Sequence, residues 1–163
     1  MVVKQMNHLH HQDRPDLVFE KMDATNMNYN DDNFNVILDK GTLDAMMPDE
    51  STEVVDQVYR LFSEIERVLK LGGRYICISL LQPHILNHFV TWFVEHGWPV
   101  RILRCTDVEL SKPVEDRIFP VFAIVATKFR KMNNMTPILE ISLSSQQVDA
   151  FVKLISTFKL HEK

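Results

Sequence analysis

The sequence predicts an α/β layer structure with a largely parallel sheet, and three observations predict it. Short apolar runs rich in β-branched and aromatic residues recur along the chain, at Phe34–Leu38, Arg74–Leu80, Trp98–Arg104 and Phe119–Thr127. Between several of them lie segments with apolar residues at helical spacing, and proline or glycine punctuates the junctions. Strands alternating with amphipathic helices are the signature of layered α/β architecture.

Taken in order, Val2, Val3, Met6 and Leu9 recur at helical spacing, so the chain is expected to open inside or at the end of a helix. Pro15-Asp16 breaks the pattern, and Leu17–Met22 reads as a short strand ending at Asp23. A polar loop containing Asn26, Asn28, Asn30, Asp31, Asp32 and Asn33 leads to the strand Phe34–Leu38, which stops at Asp39-Lys40-Gly41. From Glu53 to Leu69, the residues Val54, Val58, Leu61, Phe62, Ile65, Val68 and Leu69 form one continuous apolar stripe. Ser51 or Thr52 is suited to cap this helix, Glu53 complements its positive end, and Gly72-Gly73 is expected to supply the left-handed residue that ends it.

A buried-type strand, Arg74–Leu80, follows, and Pro83 is suited to the first position of another helix. Leu86, Phe89, Val90, Phe93 and Val94 form its apolar face, and Gly97 closes it. Trp98–Arg104 has strand character, with Pro99 pointing to an edge or a strand start. The final strand, Phe119–Thr127, follows it without an intervening helix, so the two are expected to pair antiparallel at one edge. Residues 1–130 thus read as one domain. Residues 131–163 read as an extension or linker with an amphipathic helix built on Val148, Phe151, Val152, Ile155 and Phe158.

Bulk properties narrow the function. With 163 residues, 45% hydrophobic and 25% charged, the composition is that of a globular domain. A net charge of -4 and the lack of any basic tract argue against direct nucleic-acid binding. No run of about 18 apolar residues occurs, so no membrane span is expected. Cys77 and Cys105 lie in apolar strand-like runs, as free thiols in a reducing compartment do, and a cytosolic location is the expectation. His8, His10 and His11 lack the partners a metal site needs and read as a solvated helix end. His84 and His88, four residues apart on a helix, lack the glutamate of a zinc-protease motif and read as structural. Trp92 and Trp98 read as packing residues, as do Met46 and Met47, which are also placed to line a substrate channel.

In open α/β sheets, ligands gather beyond the carboxyl ends of the strands. Two acidic clusters fall there, Met22-Asp23-Ala24 and Asp39-Lys40-Gly41-Thr42-Leu43-Asp44. An aspartate after a strand accepts hydrogen bonds from an adenine amine or a substrate ammonium, and Gly41 removes a side chain where a ligand would approach. Spacing alone fits equally well with Asp23 and Asp39 as strand-ending or capping residues.

The segment Val36-Ile37-Leu38-Asp39-Lys40-Gly41-Thr42-Leu43-Asp44-Ala45 resembles the signature after the fourth strand in methyltransferase-like proteins that act on elongation factor 1-alpha. Glu66-Arg67-Val68-Leu69-Lys70-Leu71-Gly72-Gly73-Arg74-Tyr75 resembles the junction before the fifth strand of class I S-adenosylmethionine-dependent methyltransferases generally. Ile78–Leu86 and Phe119–Ala123 extend the resemblance over residues 1–130. The resemblance implies a Rossmann-like sheet and S-adenosyl-L-methionine as cofactor. It places Met22, Asp23 and Ala24 beside the adenine, Asp39, Lys40 and Gly41 near the methionine part and the incoming amine, and Thr42 and Asp44 in the substrate loop. Asp39 and Lys40 become the candidate catalytic residues, Asp39 to orient the amine or accept its proton, and elongation factor 1-alpha the implied protein partner.

The resemblance also implies a gap. The family's first strand, its glycine-rich turn and the acid ending its second strand have no counterparts, and Gly41, Gly72, Gly73 and Gly97 form no such loop. In the family order 3-2-1-4-5-7-6, three intervals of about 4.8 Å separate strands three and four, roughly 14 Å in all. Leu17–Met22 is therefore expected either to shift beside Phe34–Leu38 or to leave a poorly stable fragment. A non-catalytic form that keeps only protein-interaction surfaces is the alternative reading.

Overall fold

The computed structural model describes residues 2–10, 14–105, 120–130 and 139–142. Helix α1 spans Val2–His10; strand β1, Phe34–Lys40; the short helix α2, Thr42–Met46; and α3, Thr52–Val68. Strand β2 covers Leu69–Ser79, α4 Pro83–Glu95, β3 Val100–Arg104, β4 Phe122–Thr127 and β5 Leu139–Ser142. The strands form one mixed sheet in the order β1-β2-β4-β3-β5. β1 and β2 are parallel, β4 runs antiparallel to both β2 and β3, and β3 is parallel to β5. The expected antiparallel pairing of the last two apolar strands is present, but β4 lies between β2 and β3 rather than at an edge. β5 occupies that edge. The amphipathic segment around Val148–Phe158 lies outside the described residues.

One face of the sheet carries the core. Tyr75, Cys77, Ser79, Val100, Ile102, Ile124 and Ala126 are buried there. The stripe on α3 buries Val58, Leu61, Phe62, Ile65 and Val68, and α4 buries Ile85, Leu86, Phe89 and Phe93. Phe62 of α3 meets Phe89 edge-on at 5.8 Å, and Tyr75 of β2 stacks on Phe89 at 5.6 Å. Burying each such side chain contributes roughly 1.5–3 kcal/mol. Pro83 does start α4, because its missing N–H costs nothing in the first turn. Gly97 follows α4 at φ 80°. Trp98 is buried against Phe93 at 5.0 Å.

Two further expectations are corrected. Leu17–Met22 is not a strand, and it does not pair beside β1. An isolated extended segment has no ladder to satisfy its backbone; here the side chain of Asn7 from α1 takes over part of that role. Its Nδ2 donates to the Phe19 carbonyl and its Oδ1 accepts the Phe19 N–H, both at 3.0 Å.

Nor does glycine end α3. The helix passes directly into β2 through Leu69, whose φ of -76° and ψ of 137° are already extended. Gly72, at φ 78°, instead shapes an irregular start to β2. Phe34 pairs with Leu69 and Val36 already with Arg74, so two steps along β1 match five along β2. The extra residues loop out, tied to the end of β4 by Gly72 N–H to the Lys128 carbonyl at 2.8 Å.

The polar loop before β1 is anchored chiefly by Arg67, with Lys128 Nζ donating to Asp32 Oδ1 at 2.9 Å. Arg67 donates through Nε to Glu64 Oε1 at 2.8 Å, through Nη1 to Asp31 Oδ1 at 2.9 Å and to the Tyr29 carbonyl at 2.6 Å, and through Nη2 to the Met27 carbonyl at 2.9 Å. Glu64 returns the connection by accepting the Met27 N–H at 2.7 Å. A planar guanidinium with five fixed donors suits this task, which a lysine would not fill.

Candidate active site at the carboxyl end of the parallel strands

β1 ends at Lys40, and the chain turns at Gly41 in the left-handed conformation, φ 77°. Nothing lies within 4 Å of where a β-carbon on Gly41 would be, so the turn faces open space and its glycine is needed for backbone shape. The Gly41 N–H donates to the Ile78 carbonyl at 3.1 Å, which keeps the turn against β2.

Asp39 builds this turn from beneath. Its side chain is buried, with 7% exposure, and both oxygens are engaged. Oδ1 accepts the Thr42 N–H at 2.8 Å; Oδ2 accepts the Leu43 N–H at 3.2 Å and the Tyr75 hydroxyl at 2.9 Å. The two amides are orphan donors at the start of α2, so Asp39 caps that helix from the preceding strand. Burial, above all, pushes the Tyr75 hydroxyl well above its ordinary pKa, with Cys77 and Asp39 adding to it, so Tyr75 remains a donor. Burial likewise pushes the Cys77 thiol up to about 12.

Asp44 is held by a second buried polar residue of β2. Ser79 Oγ donates to Asp44 Oδ1 at 2.8 Å and accepts the Leu81 N–H at 2.8 Å. Leu81 is buried with φ 53°, a conformation a branched side chain adopts only when its surroundings enforce it. Ser79 thereby joins the Asp39–Asp44 segment to the loop after β2. Tyr75 and Ser79 were not legible as site residues in the sequence. Their i, i+4 spacing on one face of a strand was visible, but the register that sets Tyr75 beside Ile37 and Cys77 beside Asp39 was not.

The remaining candidate residues fall in two places. Lys40 and Thr42 are exposed, and Gly41 and Asp44 half-buried, so 39–44 form one cluster. Met22, Asp23 and Ala24 lie in the irregular segment before β1. Asp23 Oδ1 accepts both the N–H and the hydroxyl of Thr25, at 2.9 and 2.8 Å, and these two bonds lower its pKa. Ala24 packs against the core. No hydrogen bond among the described residues links the 22–24 segment to the 39–44 turn.

Several neighbours are structural. His84 Nε2 bonds the Met47 carbonyl at 3.0 Å, His88 Nδ1 bonds the Tyr59 hydroxyl at 2.9 Å, and Met47 is buried. No metal-ligating cluster is found among the described residues. A cleft of about 460 Å³ lined by Asp32, Glu66, Leu71, His96, Lys128, Phe129 and Arg130 lies at the opposite end, where β1 and β2 begin. Ligand chemistry in open α/β sheets belongs to the carboxyl ends, so the 39–44 turn outranks this cleft as the candidate site.

Residues 2–77 match the family model described as a methyltransferase domain. Among solved structures, geranyl diphosphate C-methyltransferase from Streptomyces coelicolor A3(2) superposes with a TM-score of 0.53 at 15% identity, covering 77% of this chain and 60% of that one. The chain is similar to part of the class I S-adenosylmethionine-dependent methyltransferase domain.

Within that class it is similar to the eEF1A lysine and N-terminal methyltransferases. The homolog from Drosophila pseudoobscura pseudoobscura is 41% identical over 157 residues, 94% of this chain and 23% of that protein. The Homo sapiens protein is 45% identical over 132 residues, 80% of this chain and 19% of that protein. The chain therefore spans about a quarter or less of the length of these relatives. No described helix is long and apolar enough to cross a membrane.

Proposed function

We propose that this chain forms part of the catalytic domain of a protein-lysine methyltransferase that acts on elongation factor 1-alpha in the cytosol, with S-adenosyl-L-methionine as methyl donor. The observation that carries the reading is the Asp39–Asp44 turn. It sits at the carboxyl end of a parallel strand, open at Gly41 and braced from below by Asp39, Tyr75 and Ser79. The methyltransferases of eEF1A that resemble this chain make the substrate class the natural inference.

The open space at Gly41 fits the close approach of a cofactor. When bound, that cofactor supplies an electrophilic methyl group on a sulfonium, and methyl transfer from it is an in-line displacement, so alignment dominates catalysis. The chain's residues would serve that alignment. With both oxygens committed to the turn, Asp39 acts as a positioning residue that fixes Gly41 and Thr42, rather than as a free proton acceptor. Lys40, Thr42 and Asp44 border the amine's approach, and Met22, Asp23 and Ala24 would meet the adenine. The attacking lysine must shed a proton from an ordinary pKa of about 10.4, and desolvation at a closed site favours the neutral form.

A second reading, a non-catalytic form, is favoured by one observation. β1 is an edge strand, and no described strand lies on its outer side to carry the remainder of a cofactor site. Calorimetry with S-adenosylmethionine and methylation of recombinant elongation factor 1-alpha separate the two. Each should be run on the 163-residue chain and on the same chain extended with the preceding segment of the human relative. Binding and turnover only in the extended chain are expected. Micromolar binding by the chain alone removes the second reading, and no activity in either removes the first.

A further inference from the structure

Two carboxylates follow β1 in close succession, and the fold uses them differently. Asp39 receives three donors and has both oxygens committed. Asp44 receives one, the Ser79 hydroxyl at 2.8 Å on Oδ1, and among the described residues it has no further donor and no ion-pair partner. A carboxylate has about four acceptor sites, so Asp44 keeps the binding capacity that Asp39 has spent. It stands half-buried in the first turn of α2, held from β2 and therefore on the inner side of the 39–44 turn, not at the outer edge of β1.

Ser79 aims that carboxylate from the core. It is buried on β2, and a hydroxyl has one proton to give. The Leu81 N–H occupies one of its lone pairs at 2.8 Å, which steers the proton to Asp44. Leu81 is itself locked in place, buried at φ 53°. A binding group supported in this way by a packed second residue is held in one orientation before its ligand arrives. We propose, resting on the lysine methyltransferase reading, that Asp44 is the carboxylate that receives the substrate lysine side chain and that Ser79 is the positioning residue that aims it. A carboxylate binds an ammonium through a charge-assisted hydrogen bond and also favours the charged form of the amine. Asp44 therefore tightens substrate binding while it holds the proton on the bound amine to higher pH.

The test uses the chain extended with the preceding segment of the human relative, with recombinant elongation factor 1-alpha as substrate. Asp44→Asn keeps an oxygen for Ser79 and removes only the charge. It should raise KM for the protein substrate about tenfold or more, the loss expected of one hydrogen bond between charged groups, and leave S-adenosylmethionine affinity by calorimetry unchanged. It should also move the rising limb of kcat against pH to lower pH, because the bound amine loses the negative neighbour that held its proton. A purely structural residue would not move that limb. Ser79→Ala should raise KM in the same direction, and Ser79→Thr, which keeps the hydroxyl, should recover it. Because Ser79 acts through Asp44, adding Ser79→Ala to Asp44→Asn should raise KM no further. In the 163-residue chain, Ser79→Ala should speed hydrogen exchange at the Leu81 amide. Turnover by the extended chain with KM and pH limb unmoved in Asp44→Asn overturns the role of Asp44. Additive losses in the double variant, or unchanged Leu81 exchange, overturn that of Ser79. No turnover by the extended wild-type chain overturns the lysine methyltransferase reading itself, and this assignment with it.

Discussion

The Tyr75 hydroxyl crosses from β2 to donate to Asp39 Oδ2 at 2.9 Å inside the core, and that contact supports the candidate active-site turn. Tyr75→Phe removes one donor to a buried carboxylate and should destabilise the chain by about 1–3 kcal/mol. Asp39→Ala strands three donors, two of them backbone, and should cost about 3 kcal/mol or more. Urea midpoints at constant m-value measure both. Equal costs would mean that Asp39 does not organise the turn. In an extended, active domain, Asp39→Ala should abolish turnover, and near-normal activity would remove it from the site.

Gly73 is required by contact, not by φ. A β-carbon there would stand 2.7 Å from the Lys70 carbonyl oxygen and 3.1 Å from that of Asn35. Both are backbone atoms and neither can rotate away, so Gly73→Ala should lower stability by about 1–3 kcal/mol through overpacking. At Gly72 the space is open and the cost comes from the left-handed φ alone, so Gly72→Asn should be tolerated better than Gly72→Val. Thermal unfolding of the three variants tests the ranking.

The Arg67 hub makes a pH prediction. Its guanidinium, above all, holds the Glu64 carboxyl below its usual value, with the Met27 N–H adding to the effect. A carboxyl depressed by folding contributes stability that is present above its unfolded pKa of about 4.3 and is lost as pH falls through the lower folded value. Stability should therefore fall more steeply with acid below that pH in the wild-type chain than in Glu64→Gln. Arg67→Ala should free the Met27–Asp31 loop, read as faster hydrogen exchange at the Met27 amide; unchanged exchange would show that the hub is dispensable.

With its pKa at about 12, Cys77 should resist iodoacetamide at pH 8 in the folded chain and react only on unfolding, because the thiolate is the nucleophile. Mass spectrometry of the alkylated peptides reads this directly. Modification of Cys77 at the rate of a free thiol would mean that the β2 core opens readily.

Periodicity located α3 and α4 to within a residue or two, because their apolar stripes are long and have only one way to be buried. The same argument failed for Leu17–Met22. A strand is defined by its neighbour, and local pattern contains no information about whether a neighbour is present. Gly72 misled for a related reason. Its positive φ was foreseeable, but whether it would end a helix or shape an irregular strand start depended on where Val36 and Arg74 paired.

The sequence by itself determined the layered α/β class, helices α1, α3 and α4, the strand that begins at Phe34 and the family the turn resembles, since these rest on spacing and residue type. Only the tertiary structure decided what Asp39 does. A carboxylate after a strand can meet a ligand or cap a helix, and the choice lay with partners 3 to 36 residues away, Thr42, Leu43 and Tyr75. The turn at Gly41 brought the two amides to Asp39, and the register of β1 on β2 brought the Tyr75 hydroxyl to Oδ2; that register arises from packing of the whole sheet on α3 and α4.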